Sequence, residues 1–394
     1  MAKAIWSMIL TELKNIFTSR AIIGVLLLGP LIYFVLYPQP YLREVLTEIP
    51  VAVVDQDNST LSRQLIRNIN ATEAVKVGAF ASSMQDAKQL LAQHKVYGIV
   101  LIPFRFEQQV IAGKSSPISL YGDASYILIY NNVATAINSV ALTTSSQISV
   151  KRQIAQGIDP AIAKGNSLPF IPNMIALFNP QSGYATYAIP PVFILILHQL
   201  LLIGILLGSF LFRDQTLKQV TTLTPTLPIA LRPMILIISK LCTYLMIYTV
   251  IFWLYMLMIN LCYHIPNLAD LVDQFVFGFI FLIPTITFAL ALSVWITRVD
   301  DVLLLLVPVS MIVFFLSGIS WPIELIPSPL VAFGHLIPAI PAMIASTEMT
   351  QMGTPFYLLA PKLINLGLLA LLYFLMGYYS YYRKLKQVSS SLNH

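Results

Sequence analysis

Apolar and polar positions alternate along this chain in three distinct patterns. Near the start, Ile5, Ile9, Leu13 and Phe17 recur at helical spacing, Trp6 and Ile16 widen the stripe, and Lys3, Thr11, Lys14 and Asn15 fill the remaining face. This pattern predicts a helix over 1–20 lying in a membrane surface. An apolar run over 21–37 then has the length of a bilayer span. Lys3, Lys14 and Arg20 precede it, which places the N-terminus in the cytoplasm. Pro30 in mid-run, bulky Tyr33, Phe34 and Tyr37 at its end and no small-x-small cleavage pattern make it an anchor rather than a signal peptide.

Residues 38–185 are charged, alternating and rich in turns. IPVAVVD (49–55), VKVGAF (75–80), YGIVLIP (97–103) and ISLYGD (118–123) read as strands. Between them, helices are predicted from Asn58-Ser59 to Asn70, over 82–93 and over 107–112. This order predicts an inserted α/β domain with a mainly parallel sheet, large enough to bury its own core. A long helical stretch over 126–156 reads as a stalk. Asp55 and Asp57 at the first strand end are turn and cap residues by position rather than metal ligands or catalysts.

The third pattern, over 186–394, is again apolar. Spans are predicted at about 188–212 (entered through Pro190-Pro191), 234–263, 271–297, 302–319 and 356–382. Segment 321–349 is too apolar for a free loop and too proline-rich for a plain span, so it reads as a re-entrant or surface-lying outer hairpin. Six spans from a cytoplasmic start return the C-terminus to the cytoplasm. The basic residues agree: Arg213, Lys218, Arg232, Arg298, Arg383, Lys384 and Lys386 lie on the predicted inner side, whereas outer loop 264–270 has no Lys or Arg. The fold class is therefore an α-helical polytopic membrane protein of about six spans with an inserted α/β extracytoplasmic domain at 38–185.

Composition supports this division. Of 394 residues, 57% are hydrophobic and 10% charged, against about 25% charged in soluble domains. The net charge of +6 gathers at the ends of apolar runs, so nucleic acid is not the implied partner; the lipid bilayer is. The two cysteines, Cys242 and Cys262, fall in one predicted helix roughly 30 Å apart and cannot pair.

Few side chains suggest chemistry. Gly113-Lys114-Ser115 lacks the first glycine of a phosphate-binding loop, since Gln108 stands there, so if nucleotide hydrolysis drives this chain the nucleotide must bind another. Gly204, Gly208 and Ser209 form a small-residue face for close helix packing, within the subunit or between two subunits. His198 and Gln199 lie half-way across their span, either facing a substrate path or hydrogen-bonded to a neighbouring helix; Ser317 and Trp321 are further candidates for that path. Lys240, Asp273 and Gln274 are placed near span ends, where their tips reach the interface. No catalytic triad, paired carboxylates or metal-ligand spacing stands out, and no cofactor is expected on this chain. The scarcity of intramembrane charge argues against an ion-coupled carrier.

Three segments carry a resemblance: VAVVDQDNSTLSRQLIRNI (51–69), LFNPQSGYATYAIPPVF (177–193) and VPVSMIVFFLSGISWPIELIP (307–327). In this order they resemble the ABC-2 class of transporter permeases, in the branch with a large outside domain after the first span. The resemblance implies a permease subunit that is not itself an enzyme, in a bacterial inner membrane, with 38–185 periplasmic or extracellular. It implies a cytoplasmic ABC ATPase holding ATP and Mg, and a second copy or related permease completing a dimer. It also implies that the N-terminal helix and the loop after the second span dock on that ATPase, which makes Arg213, Asp214, Thr216, Lys218 and Lys240, with Arg298, Asp300 and Asp301 of the next inner loop, the coupling candidates. The loop departs from the family pattern in having Gln215 for a glycine and Lys218 for an acid. The expected function is outward movement of an amphiphilic, drug-like or lipid-like substrate, with a periplasmic adaptor and outer-membrane channel as further partners. The rival expectations are a membrane-anchored receptor or secretion platform and an ion-coupled secondary transporter.

Overall fold

The N-terminal helix, Ala2–Thr18, turns at Ser19 into the first span. In the computed structural model the described residues are 1–394 without 43, 168–176, 181 and 392–394, and the described side chains exclude those at 305 and 388–391. Parts of the expected 38–185 domain, one residue of the resembling 177–193 segment and the last three residues therefore lie outside the described residues.

Six helical segments are long and apolar enough to cross a membrane: Arg20–Tyr41, Tyr184–Leu211, Ile229–Tyr263, Leu271–Ser293, Val299–Leu316 and Phe356–Gln387. The first is not a plain α-helix, because Gly24–Leu28 forms a π turn just before Pro30. Proline has no N–H and clashes with the carbonyl a turn earlier, and a widened turn accommodates both defects. The second span starts at Tyr184, so Pro190 and Pro191 sit inside its first turns instead of at its entrance. The fourth span stops at Ser293, not 297, because Val294–Arg298 forms the turn that opens the fifth. Between the fifth and sixth, Ser328–Gly334 and Ala339–Thr350 make a bent pair at 91°. Ala339, Ile340, Ala342, Met343 and Ala345 are buried, so the second arm packs into the bundle and does not lie on a surface. Its far end is tied to the loop after the third span, where Leu268 N–H donates to the Thr350 carbonyl and Gln351 Nε2 to that of Pro266. Buried Gln274 is held in the same corner by Asn267 and the Ala269 carbonyl, so its tip does not reach outward as expected.

The second span is mostly buried, against the first, fourth and fifth spans and the arm Ala339–Thr350, whereas the first, fifth and sixth are mostly exposed and the sixth packs on the fourth. Phe193, Phe252, Phe277, Phe281 and Tyr255 fill the centre.

Residues Val45–Ile175 form a separate compact unit. Its strands are β1 (Ile49–Asp55), β2 (Val75–Phe80), β3 (Gly98–Ile102) and β4 (Ser119–Gly122), in the order β2-β1-β3-β4. The pairs β1–β2 and β1–β3 are parallel and β3–β4 antiparallel. Alternation along β1 sends Val51 and Val53 to one face and Ala52 and Val54 to the other. The first face is covered by helix Thr60–Asn70 and by the start of the long helix Ile127–Ala155, through Leu65, Ile69, Val133 and Ile137. The second is covered by helix Met84–Ala92. The long helix is thus a layer of the domain rather than a stalk. Asp55 accepts from the Asp57 and Asn58 N–H groups and from the Ser62 hydroxyl, which builds the turn expected there. Asp57 caps helix Phe106–Ile111 through Glu107 N–H, and the Glu107 carboxylate returns the bond to Leu61 N–H at the start of Thr60–Asn70.

Candidate functional site

The polar chemistry of the bundle concentrates at the end where the N-terminal helix meets the loop after the second span. That loop folds into a helix, Arg213–Leu223, directly continuing the span. The N-terminal helix turns Ala4, Met8, Glu12, Asn15 and Ile16 inward, while Ile5, Ile9 and Leu13 of the expected stripe are half-buried and Trp6 and Phe17 exposed.

Glu12 is the centre of this contact. Its Oε1 accepts from Lys240 Nζ at 2.5 Å and from the Tyr244 hydroxyl at 2.9 Å, both on the third span. Glu12 is 5% exposed and Lys240 3%, so the pair is withdrawn from solvent and each charge depends on the other. Lys240 therefore does not extend to the interface as the sequence led one to expect. One residue earlier, Thr11 Oγ1 accepts from Gln219 Nε2 at 2.7 Å, which binds the loop helix to the N-terminal helix. Between these two helices is a notch of about 460 Å³ whose walls carry Lys14, Asn15, Gln215, Lys218 and Thr222. The Asn15 side-chain nitrogen is buried with no partner.

Arg213 links the loop helix to the turn between the fourth and fifth spans. Its Nη2 donates to the carbonyls of Ser293 at 3.0 Å and Ile296 at 2.6 Å. A fixed cation there answers the free carbonyls and negative dipole at the end of the fourth-span helix. Lys384 of the sixth span donates to the neighbouring Val294 carbonyl at 2.8 Å. Asp301 closes the same turn, accepting from Thr297 N–H and hydroxyl and from Arg298 N–H. One polar framework thus joins the N-terminal helix, the loop helix and four span ends.

Of the coupling candidates, Arg213, Lys240 and Asp301 are fasteners inside this framework. Thr216 is buried, with its hydroxyl turned back to the Phe212 carbonyl. Asp214, Lys218, Arg298 and Asp300 stand exposed around it. Sequence reasoning missed Glu12. The available signal was a carboxylate one helical turn from Met8, on the line Ala4–Met8–Glu12 rather than among the lysines.

The small-residue face has one clear tenant. A Cβ at Gly204 would collide with the Leu26 side chain of the first span, and one at Gly208 would meet the Tyr244 hydroxyl at 3.0 Å and Ile22. This face is filled from within the subunit, which leaves no room there for a second copy. Ser209 is buried and its hydroxyl has no partner.

The four path candidates do not converge. His198 is 0% exposed, lies against Phe288 of the fourth span, and has no partner on either ring nitrogen, so the expected hydrogen bond to a neighbouring helix is not made. Gln199, about 100° further round the helix, faces the other way into a cavity of about 300 Å³. That cavity lies among the first, second and fifth spans, lined by Tyr33, Leu195, Ile203, Leu306 and Ser310. Ser317 is buried with its hydroxyl on the Phe314 carbonyl, and Trp321 is exposed beyond the end of the fifth span. Neither lines the cavity. Among the described residues no group of three His, Cys, Asp or Glu could hold a metal ion.

Against known families, a model described as ABC-2 family transporter protein matches residues 20–379. No curated protein matches the chain.

Proposed function

This chain belongs to the ABC-2 transporter family, whose membrane permease component it is, and on that premise we propose an exporter driven by a separate ATPase. Membership implies an ATPase partner and a bilayer; the direction of transport, the cargo and the mode of coupling are our reading. The ATPase docks from the cytoplasm on the framework around Glu12, Lys240, Arg213 and Gln219, with the termini on that same side of a bacterial inner membrane. The single observation behind this is that the loop helix is bonded at once to the N-terminal helix, through Thr11, and to the fourth–fifth turn, through Arg213. A push on the exposed face of Arg213–Leu223 therefore reaches the first, third, fourth and fifth spans together.

Among the described residues, Glu12, Lys240 and His198 are the buried ionisable groups of the bundle apart from tyrosines. The first two neutralise each other and the third is alone. That set favours energy delivered at the surface over an ion gradient conducted through the core. The cavity at Gln199 is largely apolar, with Tyr33, Gln199 and Ser310 as sparse hydrogen-bonding groups, and suits an amphiphilic or lipid-like molecule moving outward. The exposed apolar sides of the first, fifth and sixth spans are the surfaces available to lipid and to a second copy or related permease.

The test is purification of the full chain from its native membrane. An ATPase should co-purify, and ATP should accelerate release of a fluorescent amphiphile to the outside. Lys218→Glu with Asp214→Lys should abolish co-purification with no change in melting temperature. Retained ATPase with both charges reversed would refute the docking surface, and transport surviving ATP depletion would refute the drive.

A further inference from the structure

The α/β unit contains a cavity of its own. It measures about 510 Å³ and lies where helices Thr60–Asn70 and Phe106–Ile111 meet the second half of Ile127–Ala155. Its floor is apolar, with Leu65, Phe106, Val110 and Ile118 joined by Ile148, and Leu142 stands exposed at its mouth. Leu65 and Phe106 are buried, and Thr144 is a buried hydroxyl beside them.

The rim differs from the floor. Lys114, Ser115 and Ser116 line one side and Ser145, Ser149 and Arg152 the other. Gly113 adopts φ +77°, and a Cβ on it would meet Arg152 Nη1 at 3.0 Å, so the guanidinium lies close over this glycine turn. Among the described residues neither Lys114 nor Arg152 makes an ion pair. The Ser116 hydroxyl oxygen is buried with no partner. The Glu107 carboxylate lines the adjoining cavity with Lys151 and Arg152 and accepts from Leu61 N–H, without an ion pair to either cation. Two free cations and a ring of hydroxyls above an apolar floor form a two-part receptor. A bare anion would leave the floor wet, and a neutral hydrocarbon would leave the cations unanswered.

We propose that this cavity binds an anionic amphiphile, with a carboxylate, sulfate or phosphate head between Lys114 and Arg152 and a single apolar tail on Leu65, Phe106 and Ile148. The volume is that of an ordinary small-ligand pocket and admits one acyl chain of moderate length. The assignment concerns the α/β unit alone, and its test needs no ATPase, so it stands or falls apart from the exporter reading.

The experiment uses the full chain in nanodiscs of zwitterionic phosphatidylcholine and a dodecanoic acid carrying a diazirine in its tail. After irradiation, cross-linked peptides are mapped by mass spectrometry. Label is expected on the segments 106–118 and 141–152, displaced by excess dodecanoate or dodecyl phosphate but not by dodecanol or inorganic phosphate. Lys114→Gln with Arg152→Gln, both exposed and so tolerated by the fold, should reduce this labelling at least fivefold. Leu142→Gln should weaken it through the tail. Labelling confined to the spans, equal displacement by dodecanol, displacement by inorganic phosphate alone, or an unchanged double variant would each overturn the proposal.

Discussion

Glu12, Lys240 and His198 show how burial decides what a charged or polar residue does. Removing one partner of a buried ion pair leaves the other uncompensated, at a cost of about 3–5 kcal/mol, whereas replacing both with apolar side chains is often near neutral. Glu12→Ala should therefore lower the melting temperature of the purified protein sharply, while Glu12→Leu with Lys240→Met should restore most of the loss. Additive effects of the single and paired changes would show that the two do not interact. His198 poses the opposite case: a buried ring with both nitrogens unpartnered costs stability, so His198→Leu should leave folding intact or raise stability by about 1 kcal/mol. If His198→Leu instead destabilises the protein, the ring has a partner that this arrangement lacks. The hydrophobic pattern could not reveal the Glu12 pair. Residue 12 is polar on a helix with polar residues on several sides, and its partner is 228 positions away, so only the packing of the first helix on the third span identifies it.

At the scale of elements, strands, helix positions and span count were legible because each is written in local periodicity. The strands match the expected runs to within a residue or two at each end. The long helix over 127–155 was misread as a stalk because its mixed Asn, Ser, Thr and Ala surface hides the short apolar line, Val133 and Ile137, that seats it on the sheet. Close packing of the second span on the first makes a sharper prediction. Gly204→Ala should cost about 1–3 kcal/mol by driving a methyl into Leu26, and Leu26→Ala should recover part of it. Failure of that rescue in a double-mutant melting comparison would mean the two residues are not in contact. The caps of the α/β unit carry a pH signature. Slight burial of Asp57 pushes its carboxyl up, but the Ser59 hydroxyl and the backbone of Glu107, Phe106 and Arg105 outweigh it and hold it below the usual 3.8. Hydrogen bonds from Ser82, then Ser83, do the same for Asp86. A carboxylate lowered on folding stabilises above its unfolded value, and that contribution is lost as pH falls through 3.8 and below. Pepsin cleavage within 45–175 should accordingly rise over that interval, and less steeply in Asp57→Asn. An identical profile in the variant would remove Asp57 from the explanation.

At the scale of the molecule, the chain leaves and rejoins the bundle at nearly one point. Glu44 accepts Tyr184 N–H on its carbonyl at 2.9 Å, and its carboxylate takes Thr186 N–H and the Thr186 hydroxyl. The Asn179 side chain braces the same corner by bonding both N–H and C=O of Gly183. Among the described residues the bundle core and the two cores flanking the sheet have no member in common. Each unit can therefore satisfy its own hydrophobic burial, and joining residue 46 to residue 178 through a few Gly and Ser residues should close the corner at little entropic cost. The shortened chain is expected to insert, to melt within a few degrees of the full chain's bundle transition, and to retain its ATPase, because the Glu12–Lys240 and Arg213–Ser293 contacts lie wholly in the part retained. Binding of the diazirine acid at 106–118 and 141–152 would vanish with the deleted unit. A receptor anchored by its spans would lose its activity entirely on this deletion, whereas a permease would keep nucleotide-dependent movement of the bundle. Loss of ATPase association from a shortened chain that still melts cooperatively would refute docking confined to the bundle.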